Sequence, residues 1–177
     1  MSYKRLFIFV EGDDDERFFQ RIIKPKLEEK YDEVKLIKYS RMKSEKVFNL
    51  LKSVKAMGAE YIYVADINQA PCITARIQQI QGKFFILDIK RIIVVIKEIE
   101  SWYLAGLDTS TLQKFEISPF NTTENITKEQ FNNLIPKNFD SRIDFMLEIL
   151  EHFSVEIAKG KNSSFRYFLE KYNCKNF

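Results

Sequence analysis

Four short apolar runs, each about the length of one β-strand, are separated by segments with helical periodicity. The runs cover Arg5–Val10, Val34–Tyr39, Tyr61–Ala65 and Ile92–Ile96. The first and the last are almost continuously apolar, which is typical of strands buried on both faces of a sheet. This β-α-β-α-β-α-β order predicts an α/β fold with a four-stranded, mostly parallel sheet, flanking helices and right-handed crossovers.

The segments between the runs have the apolar spacing of amphipathic helices. The first helix opens on the acidic turn Asp13–Glu16, and the second ends near Gly58. A third, weaker helix is predicted over Ala75–Ile80. The residues that define the apolar faces of the first two are Phe18, Phe19, Ile22, Ile23 and Leu27, then Val47, Leu50, Leu51 and Val54.

The amino-acid composition changes after Gly106, and residues 115–140 are rich in Asn, Thr and Pro. Helices are predicted in this part at Lys128–Leu134, Arg142–Ile157 and Ser163–Tyr172. We therefore divide the chain into an α/β core over residues 1–106 and a helical C-terminal extension over residues 107–177 that packs on the core.

Composition narrows the class of protein. With 45% apolar and 30% charged residues, the 177-residue chain is typical of a folded globular protein. Cys72 and Cys174 lie far apart in sequence, which argues against a disulfide framework and a structural zinc site. No apolar stretch approaches the roughly 20 residues of a membrane span. These features predict a cytoplasmic protein without a membrane partner.

Oxygen-bearing side chains follow three of the four predicted strands. They are Glu11 after the first strand, Asp66 and Asn68 after the third, and Glu98 and Glu100 after the fourth. The carboxyl ends of parallel strands meet at one edge of a sheet, where ligands bind. Carboxylates from separate strands are the ligands that a hard cation such as Mg²⁺ prefers, so the pattern predicts a metal site at this edge.

The second predicted strand ends in cations instead. Arg41 and Lys43 follow it, at the same edge, where a phosphate group would need positive charge. They belong to a basic stretch whose other members, among them Lys46, Lys52 and Lys55, are typical of a solvated helix face. We therefore assign only Arg41 and Lys43 to nucleic-acid binding.

Several of the acids also have a simpler explanation. Asp13–Glu16 suit the start of a helix, where carboxylates accept backbone N–H groups. Asp66 could cap the third helix, and Glu98 and Glu100 could be first-turn acids. Glu11 lies before the helix and cannot cap it, so Glu11 is the acid that capping does not explain.

Three segments resemble blocks of the Toprim (topoisomerase–primase) superfamily. They are "FIFVEGDDDERFF", "YIYVADINQAP" and "VVIKEIESWYLAG", and the resemblance spans roughly residues 5–106. It is greatest to small stand-alone Toprim-like proteins related to the OLD-family nucleases. That family carries a glutamate after the first strand, a D-x-D pair after the third and, in the OLD-like branch, a glutamate before a tryptophan after the fourth.

The resemblance implies a Mg²⁺- or Mn²⁺-dependent phosphodiester enzyme, a nuclease acting on DNA or RNA. By position, Glu11, Asp66 and Glu100 take the catalytic roles, and Asn68 and Glu98 join them as metal ligands. Asn68 departs from the family, which has a second aspartate there; an amide oxygen can ligate Mg²⁺ but carries no charge.

Two alternatives stay open at this point. A degenerate Toprim fold could bind nucleic acid or a protein partner without catalysis. A receiver-like phosphoacceptor module would use Asp13, Asp14 and Asp66, but it requires Ser or Thr after the fourth strand, where this chain has "KEIESW".

Overall fold

A four-stranded parallel sheet organises the first half of the chain in the computed structural model, which describes residues 3–172 and 174. Its strands are β1 (Arg5–Val10), β2 (Glu33–Lys38), β3 (Glu60–Asp66) and β4 (Ile92–Val95). Five of the six residues of β1 and all of β4 are buried. The sheet and its flanking helices confirm the predicted α/β class.

The strand order is β2-β1-β3-β4. The chain therefore leaves β1 for β2 on one side and then returns to place β3 on the other side of β1. Ile8 lies opposite both Leu36 of β2 and Ile62 of β3, and Asp66 lies opposite Val95 of β4. The reversal puts a topological switch point between the carboxyl ends of β1 and β3, which is where open α/β sheets bind ligands.

The crossover from β1 to β2 is one helical run with a widened turn in its middle. It consists of α1 (Asp13–Phe18), a π-helical segment (Phe19–Ile23) and α2 (Lys24–Leu27). The Lys24 N–H donates to the Phe19 carbonyl, an i→i+5 bond. This turn lets the adjacent rings of Phe18 and Phe19 both become fully buried.

The remaining crossovers of this half are α3 (Ser44–Ala56), α4 (Ile73–Lys83) and a 3₁₀ turn (Ile89–Arg91). Val47 and Leu51 of α3 and Ile80 of α4 share one buried cluster with strand residues such as Phe9 and Tyr63. The strand members of this cluster are every second residue, such as Phe7 and Phe9 of β1, and therefore point to the same face of the sheet. Helices α3 and α4 cover that face.

Contacts within the chain group it into two compact units, Met1–Val95 and Ile96–Phe177. In the described residues of the second unit, all regular secondary structure is helical. Its helices are α5 (Glu100–Ala105), α6 (Thr109–Lys114), α7 (Lys128–Asn133), α8 (Arg142–Glu151), α9 (Val155–Lys161) and α10 (Ser163–Lys171). The boundary at residue 106 between an α/β core and a helical extension stays a prediction.

Over the described residues, no helix combines the length and the apolar character that crossing a membrane requires.

The second unit corrects the sequence prediction at two places. The helix predicted over Arg142–Ile157 is broken into α8 and α9, because the Ser154 side chain accepts the Ile157 N–H and starts a new helix. Helices α5 and α6 were not predicted. Each has six residues, and α5 is buried on all sides, so neither shows an amphipathic period.

Gly106 lies against an aromatic ring in the second unit. A Cβ built on Gly106 would be 2.3 Å from Cδ2 of Phe153, whose ring packs edge-on against Phe165. Real Cβ atoms do not approach a ring this closely, so the ring would have to shift.

Gly106→Ala is therefore expected to lower the free energy of unfolding by about 1–3 kcal/mol, because overpacking forces neighbours from their positions. Gly160→Ala is the matched control. Gly160 lies within α9 and a Cβ there would meet nothing within 4 Å, so we expect a gain of about 0.5–1 kcal/mol. Urea denaturation measures both, and equal midpoints for Gly106→Ala and the unchanged protein would contradict the expectation.

Candidate functional site

Glu11 and Asp66 lie at the switch point. Glu11 follows β1 directly, and Asp66 is the last residue of β3. The Asp66 N–H donates to Oε2 of Glu11 over 3.4 Å, and both residues are partly buried. The structure thus brings together two acids that are 55 residues apart in sequence.

Asn68 extends this pair into the loop after β3. Its φ is +52°, in the left-handed region that Asn tolerates better than most residues. The loop is held in place because the Ile67 N–H donates to the Val95 carbonyl over 2.9 Å. Asn68 is exposed and lines the same cavity as Glu11.

Arg76 of α4 supports the β3 end and was missed in the sequence. Its Nε donates to the Asp66 carbonyl over 2.7 Å, so it ties α4 to the residue that carries the candidate carboxylate. The weak helical period around Arg76 gave no sign of which way the side chain points. Only the contact between α4 and the strand end identifies it.

A cavity of about 340 Å³ opens beside these residues. It lies within the first unit, between the carboxyl ends of the strands and helices α3 and α4. Side chains on its wall include Glu11, Tyr39, Tyr63, Asn68, Arg76 and Lys83. Acidic and basic groups therefore share one small space.

Two tyrosines form part of the cavity wall. The rings of Tyr39 and Tyr63 stack with centroids 4.7 Å apart, and the Tyr39 hydroxyl donates to the Val64 carbonyl over 2.8 Å. Burial raises the pKa of Tyr39 well above its usual value and the pKa of Tyr63 to about 12. Both hydroxyls are therefore protonated at neutral pH, which makes them hydrogen-bond donors and poor nucleophiles.

The acidic turn after Gly12 serves mainly the helix start. Its side chains have basic or backbone partners: Asp13 and Glu16 with Lys38, Asp14 with Arg17, and Asp15 with the Gly12 N–H. The hydrogen bond from Lys38 lowers the pKa of Asp13. The capping interpretation is confirmed for Asp15, and Glu11 remains distinct from this set.

Arg41 and Lys43 lie in the loop between β2 and α3. The Ser40 N–H donates to the Glu11 carbonyl over 3.1 Å, so this loop starts at the same edge. The Arg41 side chain is 91% exposed and its Nη2 lies 3.5 Å from Oδ2 of Asp13. Lys43 is exposed at the N-cap position of α3. Both cations can therefore reach a ligand in solvent.

Glu98 and Glu100 belong to the second unit, where each has a defined partner. Oε2 of Glu98 accepts the N–H of Lys128, the first residue of α7. The Glu100 carboxylate pairs with Nη2 of Arg142, and its side chain is only 4% exposed. These contacts stabilise the helical unit, and the metal-binding role of both glutamates stays a prediction.

The donors of the first unit suit a hard cation that keeps part of its shell for water and substrate. In the described residues, no three His, Cys, Asp or Glu side chains form a metal-binding cluster. Glu11, Asp66 and Asn68 supply two carboxylates and an amide, all through oxygen. Mg²⁺ is commonly held by one or two carboxylates together with waters and phosphate oxygens, so this donor set fits it.

Asn68→Asp is expected to tighten Mg²⁺ binding roughly tenfold, because it adds a unit charge within a few ångströms of a divalent ion. Mn²⁺, which is more tolerant of mixed ligands, is expected to depend less on this change. A Mg²⁺ titration of thermal stability measures the effect without requiring activity.

Gln69→Glu is the control for this substitution, since it adds the same charge at the next, exposed position. If both variants gain the same affinity, the effect is general electrostatics and Asn68 is not a ligand. If neither gains, the alignment of this motif with a metal site is wrong.

Comparison with known proteins gives two similar structures. One is the C-terminal region of the Xanthomonas campestris pv. campestris OLD protein, with 17% identity, a TM-score of 0.46 and coverage of 98% of this chain and 96% of that chain. The other is the C-terminal region of the Burkholderia pseudomallei OLD protein, with 15% identity, a TM-score of 0.41 and coverage of 98% of both chains. No protein-family model and no curated protein sequence matches this chain.

Proposed function

We propose that this protein is a Mg²⁺- or Mn²⁺-dependent phosphodiester enzyme of the Toprim type, acting as a nuclease on DNA or RNA. The observation that carries the proposal is the meeting of Glu11 and Asp66 at the switch point of a parallel sheet. Glu11, Asn68 and Arg76 line one small cavity, and Nε of Arg76 donates to the Asp66 carbonyl. The three acidic blocks of the sequence, in order at strand ends, support the same class.

Each residue has a role in this proposal. Asp66 and Asn68 hold the metal, and Glu11 is either a further ligand or the general acid/base. When bound, the metal stabilises the charge that develops at the phosphate. Arg76 keeps the Asp66 backbone in place through its carbonyl. By resemblance, Glu100 completes the catalytic set and Glu98 is an additional ligand.

A second candidate function is nucleic-acid binding without catalysis, in a degenerate Toprim fold. The amide at Asn68 favours it, because the site has one formal charge fewer than the family pattern supplies. The ion pair between Glu100 and Arg142 favours it as well, since this carboxylate already has a cation.

A metal-dependence assay separates the two candidates. The protein is incubated with labelled single-stranded and duplex DNA and RNA in Mg²⁺, Mn²⁺ or EDTA, and Glu11→Gln prepared in parallel reports contaminating nucleases. We expect cleavage with metal, none in EDTA and none by the variant. Binding without cleavage under every metal condition would establish the non-catalytic candidate instead.

Arg41→Glu combined with Lys43→Glu is expected to weaken nucleic-acid binding and to reduce its dependence on log salt by about one to two units of slope, since each phosphate contact releases roughly one counterion. The charge-matched control is Lys52→Glu with Lys90→Glu, two exposed lysines outside this loop. An equal change of slope in both doubles would mean that net charge alone is responsible.

A further inference from the structure

Helix α4 presents a row of polar and cationic side chains to the cavity. Arg76, Gln79 and Lys83 all line it, at the spacing of one helix face. Arg76 and Lys83 are seven residues apart, which separates their backbones by about 10 Å along the helix axis. Lys83 is exposed, so its ammonium is available to a ligand.

The position of Arg76 relates this row to the candidate metal site. Arg76 contacts the Asp66 carbonyl, and Glu11 and Asn68 line the same cavity. A phosphate held at the strand ends would therefore lie beside Arg76, and a second phosphate further along the cavity would meet Lys83. Two cations in a row along one wall match two successive phosphates of a strand.

The size of the cavity limits what lies between those phosphates. Its volume of about 340 Å³ is at the lower end of small-molecule sites, which run from about 300 to 1,000 Å³. This suits one nucleotide and is too small for a base pair. The opposite wall carries the hydroxyls of Ser40 and Ser44 and the apolar side chain of Met42, which offer hydrogen bonds and a contact surface to a sugar and base.

We propose that this cavity binds one unpaired nucleotide of a nucleic-acid strand, with its flanking phosphates on Arg76 and Lys83. The substrate of the site is then single-stranded nucleic acid or an unpaired strand end, and a continuous duplex is excluded. This inference rests on the proposed function for the identity of the phosphate at Glu11 and Asp66. It adds the strandedness of the substrate and the role of α4.

Binding in EDTA tests the inference without requiring cleavage. Fluorescence anisotropy compares a labelled single-stranded 12-mer with the same sequence as a blunt duplex, and an unlabelled nucleoside monophosphate serves as competitor. We expect the single strand to bind at least about fivefold more tightly than the duplex. The monophosphate should compete only weakly, because it offers one phosphate where the cavity takes two.

Two variants, Lys83→Ala and Gln79→Trp, test whether the strand binds in this cavity. Lys83→Ala is expected to weaken single-strand binding by about 3–10-fold and to reduce the salt slope by about one. Lys90→Ala is the matched control. Lys90 is also exposed but precedes β4, at the opposite edge of the sheet, and its loss should change nothing. Gln79→Trp, on the exposed rim, should weaken binding by filling the cavity without removing charge.

The outcomes separate this inference from the proposed function. Equal effects of Lys83→Ala and Lys90→Ala, or equal binding of strand and duplex, would overturn the inference even if the protein cleaves DNA or RNA. Strong competition by the monophosphate would overturn the inference as well, because the ligand of the cavity would then be a free nucleotide and not a strand. Lys83-dependent single-strand binding by a protein that never cleaves would uphold the inference and overturn the nuclease proposal.

Discussion

Glu11→Gln is expected to lower metal-dependent cleavage by at least about a hundredfold, the minimum typical of losing a general acid/base. The amide keeps the size of the side chain and removes its charge and its capacity to take a proton. Stability should change by less than about 1 kcal/mol, because the one hydrogen bond described for this carboxylate, from the Asp66 N–H, is long at 3.4 Å. Cleavage rates and urea midpoints, measured on the same preparation, check both parts.

Glu16→Gln is the matched control for this prediction. The substitution Glu16→Gln removes the same charge from the same edge of the sheet. However, the Glu16 side chain pairs with Lys38 and belongs to the helix start. Its cleavage rate should stay within a few fold of the unchanged protein. Equal losses for both variants would show that only the overall negative charge of the turn matters, and the site assignment of Glu11 would then be wrong.

Arg142→Met is expected to cost about 2–4 kcal/mol of folding free energy. Arg142 pairs with the buried Glu100, donates from Nε to Oδ1 of Asn132 over 2.7 Å and lies over the Phe131 ring. Removing the cation deprives a buried carboxylate of its main countercharge, a change that costs about 3–5 kcal/mol when both groups are fully buried. We expect somewhat less here because the Arg142 side chain is 22% exposed.

The double variant Arg142→Met with Glu100→Gln isolates the electrostatic part. Without the carboxylate there is no buried charge to compensate, so the double should be more stable than Arg142→Met alone. Denaturant midpoints of the two single variants, the double and the unchanged protein complete the cycle. If the double is as unstable as Arg142→Met, the loss comes from packing on Phe131 and from the Asn132 bond.

The sheet and the proximity of Glu11 to Asp66 were predictable, because both follow from where the apolar strands lie in the sequence. A strand buried on both faces must be continuously apolar, so Arg5–Val10 and the Ile-Val run of β4 were visible directly. Parallel strands then place their carboxyl ends at one edge of the sheet, which predicts that Glu11 and Asp66 lie close together. The hydrogen bond from the Asp66 N–H to the Glu11 carboxylate agrees with this expectation.

The rest depends on contacts between segments distant in sequence. Nothing local indicates that Arg76 reaches the Asp66 carbonyl, or that Tyr39 and Tyr63 stack behind the cavity. Glu100 does lie in the first turn of α5, as the capping alternative expected, whereas Glu98 lies before the helix. The partners of Glu98 and Glu100 are 30 and 42 residues away in sequence. Such pairings follow from tertiary packing, which strand and helix periods do not encode.

The widened turn at Phe19–Ile23 has a consequence for how chains of this fold can vary in length. A π turn holds one more residue than an α turn, and here its i→i+5 bond joins Phe19 to Lys24. Deleting the exposed Gln20 would let the run close as an uninterrupted α-helix, at the cost of burying only one of the two phenylalanines. Alignments of distant relatives should therefore tolerate a one-residue gap at this point, while the spacing between Glu11 and the acidic turn stays fixed.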